Sequence, residues 1–310
     1  MTTPTPTRPD AANATDRAGW LARMEEIGDD LGYFEHLGPD HWAFFVDDGP
    51  NLLVTFETLE AVRARDRQMP LGCCHSAMRG WSHLSIICDG PTWYRNDRVW
   101  RYFDRLVDDA FLEDFDRVVF FGAGMGGYAA CAYSVAAPGA TVLALQPRAT
   151  LDPRLAGWDT RDRTARRLDF TSRYGYAPDM IEGTGQVFVL FDPKEREDAM
   201  HAALFRKPFV TMLRAPWLGA RTDRALDNLG LMQPLLDAAC DGTLTAATWA
   251  RLWRKRRDFG PWLKQILAAT DASGHKRRAL AICRSVNARL AAPRFRKRQA
   301  ELEADPGLKV

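Results

Sequence analysis

From position 41 the chain breaks into short apolar runs. "HWAFFVDD" (41–48) and "NLLVTFET" (51–58), separated by "GP", predict a hairpin of two strands. "HLSIICD" (83–89) predicts a third strand, and residues 97–111 carry apolar positions at helical spacing. From there strands and helices alternate. "RVVFFG", "TVLALQP" and "QVFVLFDP" are almost uniformly apolar, as strands are when helices cover both faces of a parallel sheet. "PFVTMLRAP" (208–216) predicts the strand that closes the sheet. Beyond it the pattern becomes helical, in pieces separated by Gly and Pro. The implied fold class is α/β, a mostly parallel central sheet with helices on both faces, plus a C-terminal helical extension.

Composition adds boundaries to that picture. A chain of 310 residues, 46% of them hydrophobic, buries a large core. Residues 1–20, rich in Thr, Pro, Ala and charge, predict a flexible tail without the apolar core of a signal peptide. No window is long and apolar enough for a membrane span, so the expectation is a cytoplasmic protein. The body is expected over 21–242, with a loop or lid insertion at 148–185. The extension, 243–310, is basic: from position 241 onward there are 16 Lys+Arg against 6 Asp+Glu, a charge of +10, leaving 26 against 34, or −8, for the rest. Its "RLWRKRRDFGPW" and "RFRKRQ" interleave cations with aromatic residues, which could grip nucleic acid or an anionic membrane surface. No recognition motif accompanies the charge, so nucleic acid is the less favoured partner.

Six scattered cysteines predict reduced thiols rather than a disulfide framework. "CCHS" (73–76), near His83, lacks a second ligand pair at zinc spacing and reads as a loop, and no metal is expected.

The chemistry concentrates in "RVVFFGAGMGGYAACAYSVAAPGATVLALQP" (117–147), where two motifs share the same glycines. Gly122-x-Gly124-x-x-Gly127 matches the dinucleotide fingerprint letter for letter. That motif expects an acidic residue at the end of the next strand to hold the ribose hydroxyls. Gln146-Pro147-Arg148 stands there instead, with Arg148 suited to a 2′-phosphate, and three strands precede the motif. The other frame, Gly-x-nucleophile-x-Gly between strand and helix, is met by Gly122-Ala123-Gly124-Met125-Gly126 with glycine at the nucleophile position. Asp192, ending "QVFVLFDP", stands where the acid of such a triad follows its strand. The loop "WLGARTDRAL" after "PFVTMLRAP" has no histidine; His201 falls mid-helix and His275 in the basic extension. Ser134 and Cys131, on the helix after the turn, read as buried small residues rather than substitutes.

Over about 41–241 the chain resembles bacterial α/β-hydrolase-like proteins whose elbow reads like "FYGSSMGGYAA" and whose next strand ends like "SPQ". Here the text is "FFGAGMGGYAA", then "LQPRATLDPRLAGWDTRDR". The resemblance implies an α/β-hydrolase-like sheet with a degenerate elbow: Gly124 replaces the serine and Gly219-Ala220 the usual Gly-His. Close relatives are associated with the label phosphoadenosine phosphosulfate reductase. These residues do not support it: there is no SxGxDS-like loop, and Cys283 in "AICRSV" lacks that family's Glu-Cys-Gly-x-His.

The favoured expectation is a non-catalytic protein, without cofactor, that binds a small ligand, an anion among the candidates, or a protein partner. Gly122, Gly124, Met125, Gly126, Gln146, Arg148 and Asp192 are the candidate ligand contacts. The arginines of the 150–173 loop would either overhang that ligand or pair with Asp152, Asp159, Asp162 and Asp169, the latter favoured because charge runs are usually solvated faces. The alternatives are an esterase or acyl hydrolase with an unusual nucleophile, an NADP-dependent reductase using the fingerprint literally, and an adaptor acting through the basic helices.

Overall fold

A computed structural model of the chain describes residues 8–305 and Gly307. Eight strands form one sheet: β1 (Gly32–His36), β2 (His41–Val46), β3 (Asn51–Thr58), β4 (Ser82–Cys88), β5 (Arg117–Ala123), β6 (Thr141–Leu145), β7 (Gln186–Phe191) and β8 (Val210–Arg214). Their order is β1-β2-β4-β3-β5-β6-β7-β8. β3 through β8 run parallel to their neighbours, and β1 and β2 add an antiparallel edge. This is the mostly parallel α/β-hydrolase-like sheet that the resemblance implies.

The apolar strands explain the layering. One face of β3–β7 carries Phe56, Phe120, Val142 and Val189 into a core with Tyr102, Phe103, Tyr128 and Tyr133. The other carries Leu53, Phe121, Leu143 and Leu190 into a second core with Leu213, Leu235, Trp249 and Trp253. A third cluster, Trp20, Met24, Ile27, Trp42, Phe44 and Ile87, seals the antiparallel edge.

Several expectations require correction. The two runs around "GP" are not a hairpin, because β4 lies between β2 and β3 and pairs with both. The hairpin partner of β2 is β1, "GYFEH", whose mixed polarity gives a weak strand pattern. "CCHS" is helical, within Leu71–Arg79, with His75 and Ser76 buried against the sheet. Of the expected flexible tail, residues 1–7 lie outside the described residues; in the remainder Ala11 and Trp20 are buried. Arg67 donates to the Asp10 carboxylate, and the Trp20 indole donates to the Gln68 carbonyl, which ties 8–20 to the chain beyond β3.

The C-terminal helices pack by their aromatic residues. Trp249 and Trp253 stack at 5.4 Å within the second core, and their neighbour Trp262 donates to the Pro216 carbonyl. Leu263, Leu267, Cys283, Val286, Phe295 and Leu302 form a further cluster of their own. No helix among the described residues is long and apolar enough to cross a membrane.

Candidate functional site

The sheet changes winding direction between β3 and β5, the place where open α/β sheets form a crevice at their strand ends. β5 enters this crevice and turns at Gly124 into the helix Met125–Tyr133. Three of its glycines are there for close packing. A Cβ on Gly122 would fall 2.1 Å from the Gly126 carbonyl oxygen, one on Gly126 2.3 Å from the Phe56 oxygen, and one on Gly127 2.8 Å from the Leu145 oxygen. Gly124 is different. Its φ of 57° and ψ of −114° suit glycine, yet a Cβ there would meet nothing within 4 Å. The turn is a sharp, tightly packed apex with open space at its tip.

The first N–H groups of the following helix have no helical partner and carry the positive end of its dipole. Beside them, the Met125 sulfur accepts the Trp93 N–H at 3.0 Å. Trp93 and Tyr94 hold left-handed backbone, φ 55° and 54°, and Trp93 packs edge-on against Tyr128 and Phe170. Arg95 anchors the 148–185 excursion over this helix by donating to the Asp169 and Arg173 carbonyls.

Asp192 leaves the end of β7 fully buried. Its Oδ1 accepts the backbone N–H of Lys194 at 2.8 Å and of Trp217 at 3.1 Å, and its Oδ2 accepts that of Gly219 at 2.8 Å. The carboxylate therefore holds the loop after β8, and Ala220 on that loop is exposed. No histidine stands there. His201 is buried with both ring nitrogens engaged: Nδ1 accepts the Ala149 N–H, so Nε2 carries the proton donated to Asp159 at 2.9 Å. His41 is buried on Thr92, His83 on Thr55, and His75 on Gln233, while His36 lies outside on Glu25. His275 borders a cleft among the C-terminal helices. Cys131 and Ser134 are buried as expected; burial pushes the Cys131 thiol up, and Ser134 donates to the Cys131 carbonyl.

Gln146 and Arg148 belong to an internal polar cluster that sequence reasoning missed. Gln146 donates to Asp198 at 2.5 Å and accepts the Thr222 N–H. Arg148 faces Asp159, Asp162 and Asp198 and is largely buried, which lowers its pKa despite those carboxylates. The residue that would meet a 2′-phosphate is thus held by carboxylates. Arg161 bridges Asp159 and Asp198. Burial opposes the charge on Asp159, yet hydrogen bonds from His201 and Arg161 outweigh it and hold the carboxyl well below its ordinary value. The lid arginines follow the pairing expectation only in part: Arg154 takes Asp152 and Arg161 takes Asp159, but Arg173 reaches out of the loop to Asp104, Arg166 donates to the Ala156 and Gly157 carbonyls, and Asp169 accepts from Thr171 and Ser172 instead. Asp198 and His201, three apart on one helix, were the available sequence signal.

Also missed was Trp217. It holds φ 65°, rare for a bulky residue, with the Lys194 ammonium 5.0 Å from its ring. It forms a wall common to two clefts between the β8 loop and the C-terminal helices.

No family model matches the chain, and no curated protein matches it. Among solved structures, the capsule O-acetyltransferase of Neisseria meningitidis serogroup A is 11% identical with a TM-score of 0.46, covering 68% of this chain and 94% of that one. The Pyrococcus furiosus esterase Pf2001 is 12% identical with a TM-score of 0.40, covering 73% and 95%. Est1E from Butyrivibrio proteoclasticus is 12% identical with a TM-score of 0.39, covering 67% and 98%. These are distant likenesses of fold and carry nothing about chemistry.

Proposed function

We propose that the chain is a non-catalytic protein on the α/β-hydrolase fold, with a degenerate elbow, that acts by binding a small ligand or a protein partner. Gly124 carries the reading. It occupies the apex where a nucleophile would stand, in the backbone geometry that such a turn requires, and supplies no side chain. The positions that would complete a triad support the same view. Asp192 is engaged by three backbone amides, and Ala220 offers no base. Without an adjacent base, a hydroxyl or thiol elsewhere is poorly activated. The amides at the start of the helix Met125–Tyr133 keep the capacity to hold an anion, so binding at the turn outlasts the loss of chemistry.

Purified full-length chain, incubated with p-nitrophenyl acetate and with acetyl-CoA plus a hydroxyl acceptor, is expected to release product no faster than buffer. Saturable turnover that disappears in Gly124→Val would overturn the proposal.

A further inference from the structure

We propose that the cleft beside Trp217 is a binding site for an amphipathic organic anion: an apolar aryl or acyl body carrying one phosphate or carboxylate head. This inference rests on reading the chain as a binding protein and places the ligand away from the Gly124 turn.

The cleft holds about 630 Å³, within the range of small-molecule sites. Its apolar wall is Trp217, Ile266 and Ile282, all half-buried. Lys194, His275 and Arg278 supply positive or protonatable groups, and no Asp or Glu lines it. Among the described residues no carboxylate lies within salt-bridge distance of Lys194 or Arg278, unlike Arg154, Arg161 and Arg173 of the lid, which are paired. A second cleft of about 340 Å³, also bordered by Trp217, sets Trp262 and Phe259 beside Arg224 and Arg221, but there Arg221 pairs with Asp223 at 3.6 Å, so only the larger cleft keeps its cations uncompensated. Apolar walls with an uncompensated cationic rim select a molecule that is itself part apolar and part anionic; neither a neutral lipid nor a free inorganic ion satisfies both halves.

The position of Trp217 supports this assignment independently. A tryptophan at φ 65° is strained, and such strain persists only where surrounding structure imposes it. Here the imposing group is Asp192, which accepts the N–H of Trp217 and of Gly219. The carboxylate that would orient a catalytic base in a hydrolase instead positions the wall of the cleft. Lys194, whose N–H binds the same carboxylate, sets its ammonium over the ring. One buried carboxylate thereby fixes the aromatic platform and one cation together.

The test is calorimetric titration of the full-length chain with 2-naphthyl phosphate, octanoate, 2-naphthol and inorganic phosphate. The expected result is saturable binding of naphthyl phosphate or octanoate, whichever body the wall fits. The preferred anion should bind at least about tenfold more tightly than naphthol or inorganic phosphate. Arg278→Gln, on an exposed helix face, and Lys194→Gln should each weaken it about tenfold, the scale of one charge-assisted contact. Arg101→Gln, outside the cleft, should leave it unchanged. Equal binding of naphthol, equal binding of inorganic phosphate, or affinity unaffected by Arg278→Gln would overturn the proposal. So would silence toward all four probes. A chain that fails these titrations while remaining inert toward esters loses the cleft assignment and keeps the non-catalytic one.

Discussion

Replacing Asp192 by alanine distinguishes a structural carboxylate from a catalytic one. The side chain is fully buried and accepts three backbone N–H groups, from Lys194, Trp217 and Gly219. A hydrogen bond to a charged acceptor contributes about 1.5–3 kcal/mol, so three give an upper bound of roughly 5–9 kcal/mol. Lys194 is exposed and Gly219 half-buried, so water reaches part of the vacated loop and the expected net loss is about 3–5 kcal/mol. A chain of 310 residues unfolds with an entropy near 650 cal/mol/K, at roughly 2.1 cal/mol/K per residue, so this loss lowers Tm by about 5–8 °C. Asp192→Asn keeps one carbonyl oxygen for Lys194 and Trp217 but presents an amide to Gly219. It should fall about halfway. The assay is thermal melting followed by near-ultraviolet circular dichroism, which reports the tryptophan environments directly. An alanine variant melting within about 1 °C of the parent would refute the reasoning, since a carboxylate held in reserve for catalysis contributes little to the fold.

Other substitutions test neighbouring steps. Gly126→Ala pushes a methyl to 2.3 Å from the Phe56 oxygen and should cost more than about 3 kcal/mol, seen as lost soluble yield, whereas Gly124→Ala meets only the φ penalty of about 1–2 kcal/mol in the same melts. Burial holds His83 down to about 3 and His41 down to about 4, against about 6.5 unfolded, so the unfolded chain binds more protons below pH 6.5 and stability is lost as pH falls from there. Between pH 7 and pH 5 each should contribute about 2 kcal/mol of that loss, and a denaturant midpoint unchanged over this interval would contradict it. Truncation at Gly242 removes Trp249 and Trp253 from the core that holds Phe121 and Leu213, a loss of roughly 1.5–3 kcal/mol for each such side chain, and should abolish cooperative melting.

The central strands were legible because their chemistry is uniform: residues 118–121, 142–145 and 187–190 are buried on both faces, and only apolar side chains tolerate that. Neighbour relations were not. β2 and β3 carry the same kind of pattern, and nothing local records that β4, some thirty residues away, inserts between them. The Gly124 turn was legible from its glycines, which packing and backbone geometry both require. The Arg148, Asp159, Asp198 and His201 cluster was not, because a run of mixed charge looks the same whether it faces solvent or closes on itself beneath a lid. Trp217 left no signal at all, since a left-handed backbone is ordinarily announced by Gly or Asn.

The central claim, that the turn at Gly124 presents no nucleophile, is tested most directly by the intact mass of the full-length chain after incubation with a fluorophosphonate. The account predicts the unmodified mass for the wild type. A stoichiometric phosphonyl adduct on any serine of the wild-type chain would contradict it.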